Sequence, residues 1–153
     1  MNEIMSNVNA MIERYIVSVG LDKGKCYDST KNSWNWRIGS ASIQVFVQSV
    51  PLSSGAIRYY LRIFSPLMEI PIQNELYFYR YLLELNDSKL GVKLSVLGNW
   101  VYATYERDVV GMDYDELSTC IADLEWWADT LDDQLKQKFA PTTPPAGDRP
   151  IYT

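Results

Sequence analysis

Histidine is absent from all 153 residues, which removes the side chain most often used as a general base or metal ligand near neutral pH. There is no glycine-rich phosphate loop and no GxGxxG following a strand, so a backbone cradle for nucleotides is missing. No serine has the setting of a nucleophile elbow. Cysteine occurs twice, at Cys26 and Cys120. That is too few for a disulfide framework and the wrong spacing for a metal or redox site, so two reduced, half-buried thiols are expected. No apolar run approaches the ~20 residues needed to cross a bilayer. The opening stretch MNEIMSNVNAMIERYI interrupts its apolar positions with acids and amides, unlike a signal peptide. Together these absences predict a cytoplasmic protein that is not an enzyme, has no cofactor or metal and has no membrane partner. The Asn86-Asp87-Ser88 sequon is an accidental match in such a chain.

Basic charge is also scarce where it would matter. The net charge is −5, and residues 81–153 carry thirteen acids against six bases. A domain of that sign lacks the electrostatic footprint that phosphate backbones select, so nucleic acid is not an expected partner. The acids concentrate in 113–133, where Asp113, Asp115, Glu116, Asp123, Glu125, Asp129, Asp132 and Asp133 could be imagined around a cation. A charge run on an amphipathic helix is more simply a solvated face, and that reading is preferred.

The apolar fraction of 47% is ordinary for a globular protein, so one buried core is expected within a single domain, 1–139. Ile4, Val8, Met11, Ile12, Tyr15, Ile16 and Val19 recur at helical spacing, predicting a helix over 2–19 that Gly20 ends with a left-handed cap. Strict alternation predicts strands over 33–38, 41–50 and 56–64, the first two joined at Gly39-Ser40. Pro66 and Pro71 make 65–71 irregular. A second helix is predicted over 73–85. Strands follow over 92–97 and 100–107, joined at Gly98-Asn99. Asp113 followed three residues later by Glu116 is a capping box. It opens a last helix whose Leu117, Ile121, Leu124, Ala128, Leu131 and Leu135 form one stripe. Four prolines make 140–153 a flexible or extended tail. The order α-β-β-β-α-β-β-α predicts an α+β fold, an antiparallel sheet with helices packed against it.

Two surfaces stand out for association. The helix over 73–85 is apolar nearly all the way round and must be covered on two sides. A twofold homodimer through Tyr77, Phe78, Tyr81 and Leu85 is the expected cover. On the sheet face opposite the core, Phe46, Tyr60, Phe64, Trp100 and Tyr102 lie among Gln44, Gln48, Arg58 and Arg62. Aromatics mixed with arginine in this way suit a partner-binding surface, with another protein as the partner.

These residues resemble the YbjN-domain family, described as putative sensory transduction regulators, which shares its fold with type III secretion chaperones. The likeness lies in Leu61-Arg62-Ile63-Phe64 at a strand end and the helix end Tyr81-Leu82-Leu83-Glu84-Leu85-Asn86. It continues through Lys93-Leu94-Ser95-Val96 and its partner strand into Asp115-Glu116-Leu117, Ile121 and Ala128-Asp129. The resemblance implies a secretion-chaperone-like fold and a non-enzymatic, often homodimeric module that holds a segment of another protein. Trp34-Asn35-Trp36 and the proline-rich tail depart from the family pattern. The alternative is a regulatory or sensory domain binding a small ligand between sheet and helix, in a pocket lined by Trp34, Trp36 and tyrosines.

Overall fold

The structure, a computed structural model, describes residues 3–89 and 91–139; the predicted tail over 140–153 lies outside them. Helix α1 (Glu3–Ser18) is followed by the short α2 (Lys23–Cys26) and by strands β1 (Tyr27–Asp28), β2 (Ser33–Ile38), β3 (Ala41–Pro51) and β4 (Ile57–Glu69). Then come α3 (Glu75–Ser88), β5 (Lys93–Leu97), β6 (Trp100–Asp108) and α4 (Tyr114–Phe139). The six strands form one antiparallel sheet in the order β1-β2-β3-β4-β6-β5, so the fold is α+β with helices packed on the sheet.

Local chemistry places most of these boundaries. Gly20 adopts φ +80° and lets Leu21 N–H donate to Ile16 O, closing α1 as expected. The β5–β6 hairpin pairs Leu97 with Trp100 across two residues, with positive φ at Gly98, the first central position. At the start of α4 the capping box is reciprocal. Glu116 N–H donates to Asp113 Oδ1 at 2.8 Å, and Asp113 N–H donates to Glu116 Oε2 at 3.1 Å.

Alternation decides the two faces. Ile43, Val45, Leu61, Ile63, Val101 and Ala103 point to one side, which we call the front. They share a single buried cluster with Ile12 and Ile16 of α1, Phe78, Leu82 and Leu85 of α3, and the whole predicted stripe of α4. All the long helices therefore serve the front. Helix α4 lies across β3, β4 and β6, α1 packs on α4, and α3 packs on β5. With each leucine or isoleucine worth about 1.5–3 kcal/mol when fully buried, the fully buried α4 stripe is a substantial part of what holds that helix on the sheet.

Two expectations are corrected. Strand β4 does not end at Phe64. It runs through Pro66 to Glu69, because pairing with β3 stops at Phe64 while pairing with β6 continues, with a register shift between Pro66 and Met68. A proline at such a bulge, with a partner on one side only, costs the sheet little. The short α2 and β1 were not foreseen; Asp22 caps α2 by accepting from Gly24 N–H, and Tyr27 pairs with Trp34.

The sequence Leu82-Leu83-Glu84-Leu85-Asn86 also acquires a reason. The Asn86 amide donates to Leu94 O at 3.1 Å and accepts from Leu94 N–H at 2.6 Å. It satisfies the outward backbone groups of a strand at the sheet's edge, where bare groups invite pairing with other chains.

Candidate functional site

The residues predicted for partner binding do share the back of the sheet, but as a sealed cluster. Phe64, Trp100 and Tyr102 are buried and form an aromatic group separate from the main core, with the half-buried Phe46 packed against it. Phe46 and Phe64 stack at 5.6 Å, and the Arg62 guanidinium lies 4.7 Å over the Phe64 ring. Tyr60 is half-buried on the same side. The prediction of an open aromatic surface is thus corrected: three of its five residues present almost no area for direct contact. Only alternation is visible in a sequence, and it cannot distinguish a wet face from a covered one.

Arg62 is fixed in place by carboxylate and amide. Its Nε donates to Glu106 Oε1 at 2.6 Å and its Nη1 to Gln48 Oε1 at 2.6 Å, while Lys93 pairs with the other Glu106 oxygen. Burial pushes Glu106 up, but hydrogen bonds and charge from Lys93 and Arg62 outweigh it and hold the carboxyl below its ordinary range. Beside this network, at the β2–β3 end, lies a cavity of about 470 Å³ lined by Tyr27, Asp28, Asn35, Gln44, Phe64 and Tyr102, among others. Trp36 also lines it; Trp34 does not. The cavity belongs to the back of the sheet and the α2–β1 segment, not to the sheet–helix layer foreseen for a ligand.

Helix α3 divides more sharply than its composition suggested. Phe78 and Leu85, predicted at a dimer interface, are buried in the chain's own core, and Tyr81 is half-buried, accepting from Gln134 Nε2 at 2.6 Å. Those assignments are corrected, since Phe78, Leu82 and Leu85 are the inward stripe. Tyr77 stays outward at 53% exposure. Leu76 at 85% and Leu83 at 69%, seven residues apart and so on one side of the helix, point outward with it. Ile72 just before the helix is 99% exposed. At 100° per residue a wheel sets Leu76 and Leu83 opposite Phe78, Leu82 and Leu85, but with apolar residues on both sides it does not say which side is buried.

The acids of 113–133 go to separate tasks. Asp113 and Glu116 close the capping box, and Glu116 also pairs with Arg107 at 2.9 Å. Asp129 accepts from Ser40 N–H at 3.1 Å and Ser40 Oγ at 3.0 Å, tying the β2–β3 hairpin to α4. Glu125 is buried and accepts from Tyr15 Oη and Trp36 Nε1, each at 2.6 Å. Burial first, and then the bond to Glu125, pushes the Tyr15 hydroxyl well above its ordinary value. Lys136 Nζ lies 2.7 Å from the buried Asp132 carboxylate. Among the described residues no group of three or more Cys, Asp or Glu is placed to hold a metal ion. Both cysteines are free and buried, and burial followed by the Asp22 charge pushes the Cys26 thiol up, away from a nucleophilic thiolate. Among the described residues no helix is long and apolar enough to cross a membrane. Compared with known proteins, the chain matches no family model and no curated protein.

Proposed function

We propose that this chain is a non-enzymatic protein-binding module of the chaperone-like type implied by its YbjN resemblance, working as a homodimer that holds a segment of a partner protein. The observation that carries the reading is the outward side of α3, where Ile72, Leu76, Tyr77 and Leu83 leave apolar area in water beside the β5 edge. Exposed apolar groups gathered on one side of one helix are the usual mark of an association surface. A twofold axis through α3 would bury them against their own copies. Polar residues on α3 are internally paired: Arg80, bonded to Glu84, lies between the leucines and Tyr77, and Tyr79, bonded to Glu75, lies on the other flank.

The test is sedimentation velocity on the full chain across micromolar concentrations. The expected species is a dimer at tens of micromolar, about the scale of a modest interface. Leu83→Asp removes a contact worth about 2 kcal/mol, and twofold symmetry counts it twice. Dimer affinity should therefore fall by roughly a thousandfold, at about 1.4 kcal/mol per tenfold. A wild-type chain that stays monomeric up to hundreds of micromolar, or a Leu83→Asp chain that dimerises as well as the parent, overturns the dimer. A second reading, a ligand-binding regulatory domain, is favoured by the cavity behind Phe64 and Tyr102, whose volume lies in the range of small-molecule sites. Tight binding of a small molecule that shifts Tyr102 resonances but not those of α3 would favour it.

A further inference from the structure

Strands β3 and β4 pair over only part of their length. The ladder between them stops at Gln44 and Phe64, although β3 begins at Ala41 and β4 runs on along β6 to Glu69. Pro66 helps to end it, because a residue without an N–H has none to offer β3. Residues 41–43 therefore have β2 on one side and no strand partner on the other. The cavity of about 470 Å³ opens at this gap, lined by Ser42 and Gln44 from β3 and by Phe64 and Pro66 from β4. Its cause is the end of a ladder next to a bulge, a device that often accompanies binding sites. Phe64 and Tyr102 are buried and add little area for contact. The area a ligand would meet belongs to the half-buried Asn35, Ser42 and Pro66 and to the exposed Lys25 and Arg37.

The charge around this cavity is specific. Arg58, Arg62, Arg80 and Arg107 are each paired with a carboxylate, and Arg14 lies over the Tyr114 ring. Among the described residues Arg37 is the one arginine with no such partner, and Lys25 has no ion pair either. Both line the cavity. The carboxylate in the lining, Asp28, is turned to its own loop, where Oδ1 accepts from Thr30 Oγ1 at 2.6 Å and from Thr30 N–H at 2.9 Å. Two cations thus face the cavity against one engaged acid, in a chain whose net charge is −5. Arg37 is paired in register with Ser42, so its guanidinium and the serine hydroxyl leave the sheet side by side on the same face. A planar fork of N–H donors beside a hydroxyl matches a carboxylate, which can take two parallel bonds from the guanidinium. The ring of Pro66 and the aliphatic stems of Lys25 and Arg37 suit an apolar body behind that head group.

We propose that this cavity binds a small organic carboxylate, with the carboxylate on Arg37 and Ser42, the body in the gap between β3 and β4, and Lys25 adding positive charge at the site. The assignment rests on the ligand-binding reading of the cavity and is independent of the dimer, because α3 contributes nothing to the lining.

The experiment titrates the isotope-labelled full chain with phenylacetate and, in parallel, with phenylacetamide, which has the same shape and no charge. Phenylacetate should shift the amides of Arg37, Ser42 and Gln44 and leave those of α3 in place. It should bind tighter than the amide by about tenfold or more, the value of one charge-assisted hydrogen bond. Arg37→Gln, at an exposed position, should bring the two probes to equal affinity while α1 and α4 resonances show that the fold is kept. Leu83→Asp should leave both affinities unchanged. Equal binding of the two probes by the parent chain would overturn the carboxylate assignment and leave the cavity a ligand site. An Arg37→Gln chain that still prefers phenylacetate, or that weakens both probes alike, would overturn the role of Arg37 and the proposal with it. No shift of the cavity amides by either probe up to about 10 mM, the reach of a fragment this size, would overturn the ligand-binding reading as well.

Discussion

Glu125 offers the most exacting test of how the layers are joined. Its buried carboxylate, on α4, accepts one bond from Tyr15 of α1 and one from Trp36 of β2. Each bond to a charged acceptor is worth about 1.5–3 kcal/mol. Glu125→Ala removes both and leaves two buried donors unpaired, at a total cost of roughly 3–5 kcal/mol after partial relief of the buried charge. Glu125→Gln behaves differently, for a reason specific to these partners. The indole N–H can only donate, so the amide oxygen must face Trp36. The phenol can donate or accept, so Tyr15 takes the amide N–H instead. Both bonds survive in neutral form, and the expected cost is about 1 kcal/mol. Urea unfolding followed by tryptophan fluorescence measures the difference. At an m-value of ~2 kcal/mol/M the alanine midpoint should fall by ~2 M and the glutamine midpoint by ~0.5 M. A glutamine variant as unstable as alanine, or an alanine variant within about 1 kcal/mol of the parent, would refute the reasoning.

Three further outcomes are expected. Gly39 has φ +53°, and an added Cβ would lie 2.5 Å from Asp129 Oδ1. Gly39→Ala should therefore cost about 1–3 kcal/mol, and less in an Asp129→Ala background, as a thermal-unfolding double-mutant cycle will show. Asp113→Ala breaks the capping box and should cost about 1 kcal/mol, lowering the melting temperature by a few degrees without altering the far-UV spectrum. Glu106 is held below its ordinary range by Lys93 and Arg62. Its stabilising contribution is full above about pH 4.3, the ordinary glutamate value, and is lost as the pH falls through its lower folded value. Glu106→Gln should flatten that acid limb in urea titrations at successive pH values.

The elements were largely legible because their signals are local. Gly20, Gly98-Asn99 and the Asp113–Glu116 box act within one turn of chain, and the α4 stripe from Leu117 to Leu135 needs only its own spacing to declare which side is buried. The extension of β4 past Pro66 was not legible, since it depends on which neighbour has already stopped pairing. Nor was the role of Asp129, which is set by a hairpin loop 89 residues away.

The two candidate surfaces mark the same boundary. By itself the sequence determined that α3 has apolar residues in excess of one face and that the back of the sheet carries aromatics beside arginine, because periodicity assigns residues to sides. Only the tertiary structure decided which of them meet water: Leu76 and Leu83 but not Phe78 and Leu85, Tyr77 but not Phe64 or Tyr102. Periodicity fixes where a side chain points relative to its own backbone. Exposure depends on what else arrives there, and that is a property of the packed chain.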